Sequence, residues 1–182
     1  MSGLGPVMWP PAPMRTERLV LRESEARDRA AFTELFVSPE VHTRLGGPRP
    51  REELERAMPE VPGRRPGLFV VELDGATTGT VTLERRDAGR PGHIRPEGGE
   101  AGLGRMFLPK AWGRGYAAEA CAAVLGWSAG VLPGGPVVLC TRTANDRSVR
   151  LAAKPGFTEV ERFEEWGAEQ WFGARSPVAP SG

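Results

Sequence analysis

Two glycines around an arginine mark the part of the chain best suited to bind a charged ligand. Gly113 and Gly115 flank Arg114, and glycine has no Cβ to keep a ligand away from a backbone amide. Apolar residues then repeat at the spacing of one buried helix face: Ala117, Ala120, Cys121, Val124 and Leu125. The first amides of a helix lack partners inside it and carry the positive end of its dipole. The stretch therefore predicts a phosphate or pyrophosphate site where a helix begins near Gly115, with a tight turn before a core helix as the alternative.

The same stretch resembles the acetyl-CoA-binding motif of the GNAT acetyltransferases, in particular the branch that includes the ribosomal-protein N-acetyltransferases. The sequence WGRGYAAEA follows a strand-like run that ends in Leu108-Pro109. In that family the backbone amides of a Gln/Arg-x-x-Gly-x-Gly/Ala signature surround the pyrophosphate of CoA. The resemblance implies that the cofactor, acetyl-CoA as co-substrate, is bound by Trp112, Gly113, Arg114, Gly115, Tyr116 and Ala117. Trp112 departs from the usual Gln or Arg, although tryptophan before Gly-x-Gly-Tyr-Ala is a familiar variant of this branch.

A second block, NDRSVRLAAKPGF, resembles the family pattern in which Asn-x-x-Ser is followed by Lys-x-Gly-Phe. The residues that match are Asn145, Ser148, Lys154, Gly156 and Phe157. In the family the asparagine hydrogen-bonds the pantetheine or its neighbouring backbone, and the serine lies near the sulfur of CoA. Taken without the first motif, the block would indicate only a helix capped by Asn145 or Asp146.

The strand that leads into the first motif is predicted between Glu100 and Leu108. In the GNAT fold this strand splays from its neighbour and leaves backbone groups to pair with the pantetheine arm. By the resemblance these groups belong to Met106, Phe107 and Leu108. Gly102 and Gly104 fit either a bulge in this strand or a close approach of another backbone.

The resemblance implies transfer of an acetyl group to a primary amine by direct attack within a ternary complex. A lysine-like amine has a pKa of about 10.4 and is protonated at neutral pH, so it must lose a proton on or before attack. Glu100 is the candidate base, directly or through water, because family members often have a carboxylate there; a solvated strand-end carboxylate is the alternative. The backbone N–H near Phe107 is the expected oxyanion donor. Ser148 is the expected proton donor or hydrogen-bonder to sulfur, since the tyrosine that many relatives use after the second block is absent and the single tyrosine, Tyr116, lies inside the pyrophosphate loop. Glu119 is assigned to orienting the helix.

Composition predicts one globular domain and gives no reason to expect a polyanionic partner. The chain has 182 residues, 40% of them hydrophobic, and a formal net charge of +1. The predicted division is an irregular arm at 1–14, a single domain at 15–176 and a tail at 177–182. No apolar run approaches the roughly 20 residues of a membrane helix. We expect a cytoplasmic monomer or homodimer whose partners are acetyl-CoA and an amine acceptor, with no nucleic acid and no membrane.

No metal site is predicted. Cys121 and Cys140 lack metal-ligand spacing and each lies in an apolar run, which indicates buried, reduced thiols. His93 has no second ligand near it in sequence and is expected to be solvated.

The predicted fold is the α/β fold of the GNAT acetyltransferases, which the resemblance covers from about Thr16 to Ala174. It has a mixed, mainly antiparallel sheet that is splayed at its centre, with helices on both faces. The predicted strands are Glu17 to Glu23, Leu68 to Leu73, Thr77 to Glu84, Glu100 to Leu108, Pro136 to Thr141, Thr158 to Trp166 and Ala168 to Ala174. Helices are predicted at Ala26 to Val37, from Ser38, at Arg51 to Met58 and from Gly115. Asp74-Gly75 predicts a tight hairpin turn.

The acceptor is expected in a cleft framed by the helices around Val41 to Leu45, the strand near Glu100 and the closing aromatics Trp166, Trp171 and Phe172. The many arginines argue against an acidic site for a polycation. The expected acceptor is therefore a peptide N-terminus or a small monoamine whose apolar part packs on those aromatics. A catalytically weak acyl-CoA-binding sensor or scaffold, favoured by the missing tyrosine, is the alternative.

Overall fold

The computed structural model describes residues 8–38, 50–86, 89, 91–92, 94, 99–131, 136–144, 149–150, 152, 155–165 and 167–175. Its strands are β1 (Met14–Arg15), β2 (Leu19–Arg22), β3 (Leu68–Leu73), β4 (Ala76–Arg85), β5 (Ala101–Phe107), β6 (Val137–Arg142), β7 (Thr158–Glu165) and β8 (Ala168–Arg175). Its helices are α1 (Arg29–Val37), α2 (Arg51–Ala57) and α3 (Tyr116–Val131). The predicted helix that follows Ser38 lies outside the described residues. So do His93, Asn145, Ser148, Lys154 and Trp166.

The strands form one eight-stranded sheet in the order β1-β2-β3-β4-β5-β6-β8-β7. Every pairing is antiparallel except that between β5 and β6. The predicted mixed, mainly antiparallel sheet is therefore confirmed.

The sheet is splayed between β5 and β6. Their parallel ladder runs only from Ala101, opposite Val137, to Leu103, opposite Leu139. Beyond Leu139, β6 pairs with β8 alone, so the second half of β5 has no β6 residue opposite it. The predicted central splay is confirmed.

β5 is regular along its other edge. It pairs with β4 without a register shift from Ala101 to Phe107, so the predicted bulge at Gly102 and Gly104 is wrong. Gly104 instead makes room for a neighbouring side chain, because a Cβ on it would lie 2.5 Å from Thr82 Oγ1.

Helices cover both faces of the sheet, as predicted. One face packs against α3 through apolar residues that alternate along the strands and repeat along the helix. This core includes Leu19, Leu21, Val81, Leu83, Leu103, Phe107, Ala120, Cys121, Val124 and Leu125. On the other face, Phe32 of α1 packs against Leu68 and Val70 of β3.

Local chemistry explains the confirmed hairpin between β3 and β4. Asp74 has φ 50° and Gly75 has φ 80°, the positive values that a two-residue turn of this type requires. The described residues of the predicted N-terminal arm contact the domain. The centroid of the Trp9 ring lies 5.0 Å from that of Phe69, and Met14 pairs with Leu21.

A buried ion pair joins β2, β3 and β4 to the turn at Ala26–Asp28, on the side of the sheet that carries α1. Arg22 Nη1 and Nη2 donate to Asp28 Oδ2 and Oδ1 at 2.8 and 2.9 Å, and Arg22 Nε donates to Glu72 Oε1 at 2.9 Å. Thr77 Oγ1 donates to Asp28 Oδ1 at 2.6 Å. Burial alone would raise the pKa of Asp28, but these hydrogen bonds outweigh it and hold the pKa below its ordinary value.

Candidate active site

The glycine turn before α3 has the backbone conformation that the sequence predicts. Gly113 has φ 75° and Gly115 has φ 83°, which side chains with a Cβ adopt at a cost. Glu119 N–H donates to Gly115 O at 3.1 Å as the first helical hydrogen bond. The amides of residues 115–118 consequently have no acceptor within the helix and can donate to an anion.

Cations surround this turn. Lys110 and Arg114 are exposed, and the side chain of Arg18, from the start of β2, is 41% exposed. The charges of Lys110 and Arg114 near a helix N-terminus favour a phosphate-bearing ligand, whereas the charge of Arg18 is compensated by Glu119. A Cβ at Gly113 would meet no atom within 4 Å, so the protein leaves space there. These features fit the pyrophosphate of acetyl-CoA.

The end of β5 directs one amide into the splay. Leu108 N–H donates to Thr78 O of β4 at 2.9 Å. Because backbone groups alternate along a strand, the amide and carbonyl of Phe107 face away from β4. Trp112 Nε1 donates to Phe107 O at 2.9 Å, which ties the glycine turn to the strand and leaves the Phe107 N–H directed into the splay.

The predicted backbone partners of the pantetheine are thus not equivalent. By the same alternation Met106, like Leu108, turns its backbone toward β4, whereas Phe107 turns its amide to the open side. Residues 106–117 connect the splay to the start of α3. Asn145 and Ser148, the other predicted site residues, lie outside the described residues.

Glu119 is bound by two residues that precede β2. Arg18 Nε donates to Glu119 Oε1 at 2.8 Å and Arg18 N–H donates to Oε2 at 3.0 Å; the Thr16 hydroxyl also donates to Oε2. Burial alone would raise the pKa of Glu119, but the hydrogen bonds from Thr16 and Arg18 outweigh it and lower the pKa. A charged Glu119 therefore fixes the first turn of α3. Thr16 and Arg18 lie 103 and 101 residues from Glu119, and no sequence pattern links them.

Glu100, the predicted base, is buried. It is 2% exposed, so the alternative of a solvated carboxylate is wrong. Its Oε1 accepts a hydrogen bond from Ile94 N–H at 2.9 Å, and its carbonyl accepts one from Arg86 N–H at 2.8 Å. Phe107 lies seven positions further along the chain in extended conformation, a distance of about 23 Å. The structure does not bring Glu100 and Phe107 together.

On the face away from α3, the splay is bordered by Gly104, Met106 and Thr82. Thr82 lies opposite Gly104 on β4, and its hydroxyl occupies the space that a Cβ of Gly104 would fill. The sequence analysis missed Thr82, because only the register between β4 and β5 reveals this neighbour.

Two of the closing aromatics do not offer a surface to an acceptor. Trp171 is 4% exposed and packs in the core beneath α3. Phe172 is fully buried, with Phe163 at 6.1 Å and the Arg86 guanidinium 5.5 Å from its ring. The expectation that an acceptor packs on these two rings is wrong, because strand alternation turns one into the core and Arg86 and Gly92 lie against the other.

The thiols and carboxylates do not suggest other chemistry. Burial raises the pKa of Cys121 to about 11, although its neighbour Arg105 partly offsets this, so the thiol is protonated near neutral pH. No group of three His, Cys, Asp or Glu residues able to hold a metal occurs in the part of the chain that the structure describes. Among these same residues, no helix is both long and apolar enough to cross a membrane.

Comparison with known proteins identifies the family of this chain. The family model described as the acetyltransferase (GNAT) domain matches residues 18–158, and the chain belongs to this family. It is an acetyltransferase, and acetyl-CoA is its co-substrate. No curated protein matches the sequence.

Solved structures of the same fold cover nearly all of the chain at low identity. A GNAT-family acetyltransferase from Bacillus anthracis matches with a TM-score of 0.75 and 20% identity, over 91% of this chain and 99% of that one. The spermidine N-acetyltransferase from Vibrio cholerae, solved with CoA and spermine, matches with a TM-score of 0.66 and 18% identity, over 89% and 97%. RimL, a ribosomal L7/L12 α-N-protein acetyltransferase, matches with a TM-score of 0.63 and 15% identity, over 91% and 94%. At these identities the likeness shows the fold.

Proposed function

We propose that this protein transfers the acetyl group of acetyl-CoA to a primary amine by direct attack in a ternary complex. The observation that carries the proposal is the splay between β5 and β6, which begins beyond Leu103 and Leu139 and leads to the glycine turn at the start of α3. An extended ligand can bind its phosphates at the turn and pass its thioester end through the splay. The amine then approaches from the opposite face of the sheet, which Gly104, Met106 and Thr82 border.

The residues that hold the co-substrate follow from this path. The amides of the turn and first helical residues, together with Arg114, bind the pyrophosphate. The Phe107 N–H donates to the carbonyl oxygen of the thioester as negative charge develops on it. Acetyl-CoA supplies the activated acetyl group and a thiolate leaving group. Asn145 and Ser148 are proposed, from the motif alone, to bind the pantetheine and to donate a proton to sulfur.

The acceptor amine must reach the site without its proton. Glu100 is a poor candidate for direct removal of that proton, because its carboxylate is buried and accepts a hydrogen bond from Ile94. We expect Glu100→Gln to leave kcat within a few-fold of the parent and its pH profile unchanged. A loss of kcat of about 10²-fold or more, with loss of the acid limb, would establish Glu100 as the base. For Ser148→Ala, a kcat within about twofold of the parent would rule out the proton-donor role.

The proposed acceptor is a peptide N-terminus or a small monoamine. RimL acts on a protein N-terminus and the Vibrio cholerae enzyme on spermidine, so relatives of this fold differ in acceptor. The hairpin end near the splay carries Glu164 and Glu169, but both are exposed, and Glu169 lies 3.6 Å from Arg162. Both carboxylates are solvated and that of Glu169 is paired, which gives little support to a site for a polycation.

The assay is thiol release from acetyl-CoA with matched panels of peptides, monoamines and polycations. We expect turnover with a peptide or monoamine. Acetylation of a polycation at least about a hundredfold more efficient, in kcat/KM, would overturn the acceptor assignment. Tight binding of acetyl-CoA without turnover on any amine would instead favour a catalytically weak sensor or scaffold, which agrees with the position of Tyr116 beneath the Arg18 guanidinium rather than at the splay.

A further inference from the structure

Arg18 contacts the glycine turn and the first turn of α3 at the same time. Its Nη1 donates to Arg114 O at 2.9 Å, and its Nε donates to Glu119 Oε1 at 2.8 Å. Its Cζ lies 4.5 Å from the centroid of the Tyr116 ring. The guanidinium is thus oriented by a carbonyl, a carboxylate and an aromatic face.

The contact with Arg114 O controls the direction of the next amide. A trans peptide is planar, and its C=O and N–H point in opposite directions. Because Arg18 holds Arg114 O, the N–H of Gly115 in the same peptide must point away from Arg18. A Cβ on Gly115 would lie 3.3 Å from Arg18 Nη2, so a side chain there would press on the same guanidinium.

Glu119 is needed to hold Arg18, but its charge has a cost at this position. An unpaired carboxylate in the first turn of α3 would repel a phosphate bound at the helix start. The bond to Arg18 compensates that charge, and the lowered pKa keeps Glu119 ionised so that the bond persists.

We propose that Arg18, held by Glu119, is a positioning residue that sets the Gly115 amide for the pyrophosphate of acetyl-CoA. The inference rests on the proposed acetyl-CoA site. It adds to that site a residue from the N-terminal end of the domain, far in sequence from the glycine turn. Arg18 acts on the phosphate end of the co-substrate and has no part in chemistry at the thioester.

The test compares two acetyl donors. S-acetylpantetheine carries the same thioester as acetyl-CoA but lacks the pyrophosphate. We expect Arg18→Gln to raise the KM for acetyl-CoA about tenfold, the loss of about 1.4 kcal/mol that one or two hydrogen bonds represent. The kcat at saturation and the kcat/KM for S-acetylpantetheine should stay within about twofold of the parent.

Matched variants separate positioning from a general loss of charge or fold. Arg15→Gln removes an exposed arginine from the same segment and should change neither donor's kinetics. Glu119→Gln should also raise the KM for acetyl-CoA, but by less than Arg18→Gln, which leaves the Glu119 carboxylate unpaired; the double variant should be no worse than Arg18→Gln. Arg18→Lys, which can reach one partner but not both, should recover part of the affinity.

The inference is overturned if Arg18→Gln behaves like Arg15→Gln, or if it lowers kcat/KM equally for both donors. Calorimetric titration with CoA provides the same comparison in the absence of turnover. A parent protein that binds CoA but acetylates no amine would refute the proposed function and still test Arg18. A parent protein that does not bind CoA would refute both.

Discussion

Alanine substitutions at two glycines near α3 should change stability in opposite directions. Gly113 has φ 75° in the turn, and Gly126 lies in the middle of α3. A Cβ at either position would meet no atom within 4 Å. The two substitutions therefore differ in backbone conformation and not in steric contact.

The magnitudes follow from that difference. Alanine at a positive φ costs about 1 kcal/mol after allowance for its effect on the unfolded chain. Alanine in a helix interior is more favourable than glycine by about 0.5–1 kcal/mol. Gly113→Ala and Gly126→Ala should consequently differ by about 2 kcal/mol, or about 4–8 °C in Tm for a chain of this size.

Urea unfolding measures the stability of the two variants, and titration with CoA measures their affinity for the ligand. Gly126→Ala should be more stable than the parent and bind CoA normally. Gly113→Ala should be less stable and bind more weakly, because the turn amides are displaced. Equal stabilisation by both substitutions would show that the turn does not need its positive φ, and the structural reasoning about this loop would be refuted.

Three further predictions concern the core and the thiols. Asp28→Asn should lower the free energy of unfolding in urea by about 2 kcal/mol, because it removes the charge of one of the two carboxylates that accept hydrogen bonds from the buried Arg22. Glu159→Gln at the surface should change it by less than about 0.5 kcal/mol; equal effects would contradict the buried network. The pKa of Asp28 is lowered from 3.8 in the folded protein, so its contribution to the free energy of unfolding is present above that value and is lost as the pH falls through the lowered pKa. Below about pH 4, the free energy of unfolding should therefore depend less on pH in Asp28→Asn than in the parent. Cys140, half-buried, should react with a thiol reagent at pH 8 well before Cys121, which is buried with a pKa raised to about 11; rapid labelling in Cys140→Ser would contradict this order.

The elements that could be predicted from the sequence are those whose conformation depends on neighbouring residues. The alternation of Leu19 and Leu21, the Asp74-Gly75 turn and the helix after Gly115 all depend on neighbouring residues and are confirmed. The splay was predicted only through the resemblance to a known family, since nothing in a strand's own residues says where its neighbour diverges.

Contacts across the sheet were beyond sequence reasoning. The sequence pattern places Arg18 on the polar face of a predicted strand. Only the packing of α3 over β2 brings it to Glu119. The overlap of Thr82 with Gly104 depends on the register of two strands. The burial of Glu100 depends on the chain that precedes it, where Ile94 and Arg86 hydrogen-bond to it, whereas a charged residue at a strand end is ordinarily solvated.

The most direct test of the central claim is the thermal unfolding of the parent and Gly115→Val with and without acetyl-CoA. Gly115 has φ 83°, and a side chain there would enter the space beside Arg18 and block the turn amides. At about 100 times its dissociation constant, acetyl-CoA should stabilise the parent by about 2.7 kcal/mol and leave Gly115→Val unchanged, with Gly126→Ala responding like the parent. A parent melting curve that does not move with millimolar acetyl-CoA, or an undiminished shift in Gly115→Val, would contradict the assignment of this turn as the acetyl-CoA site.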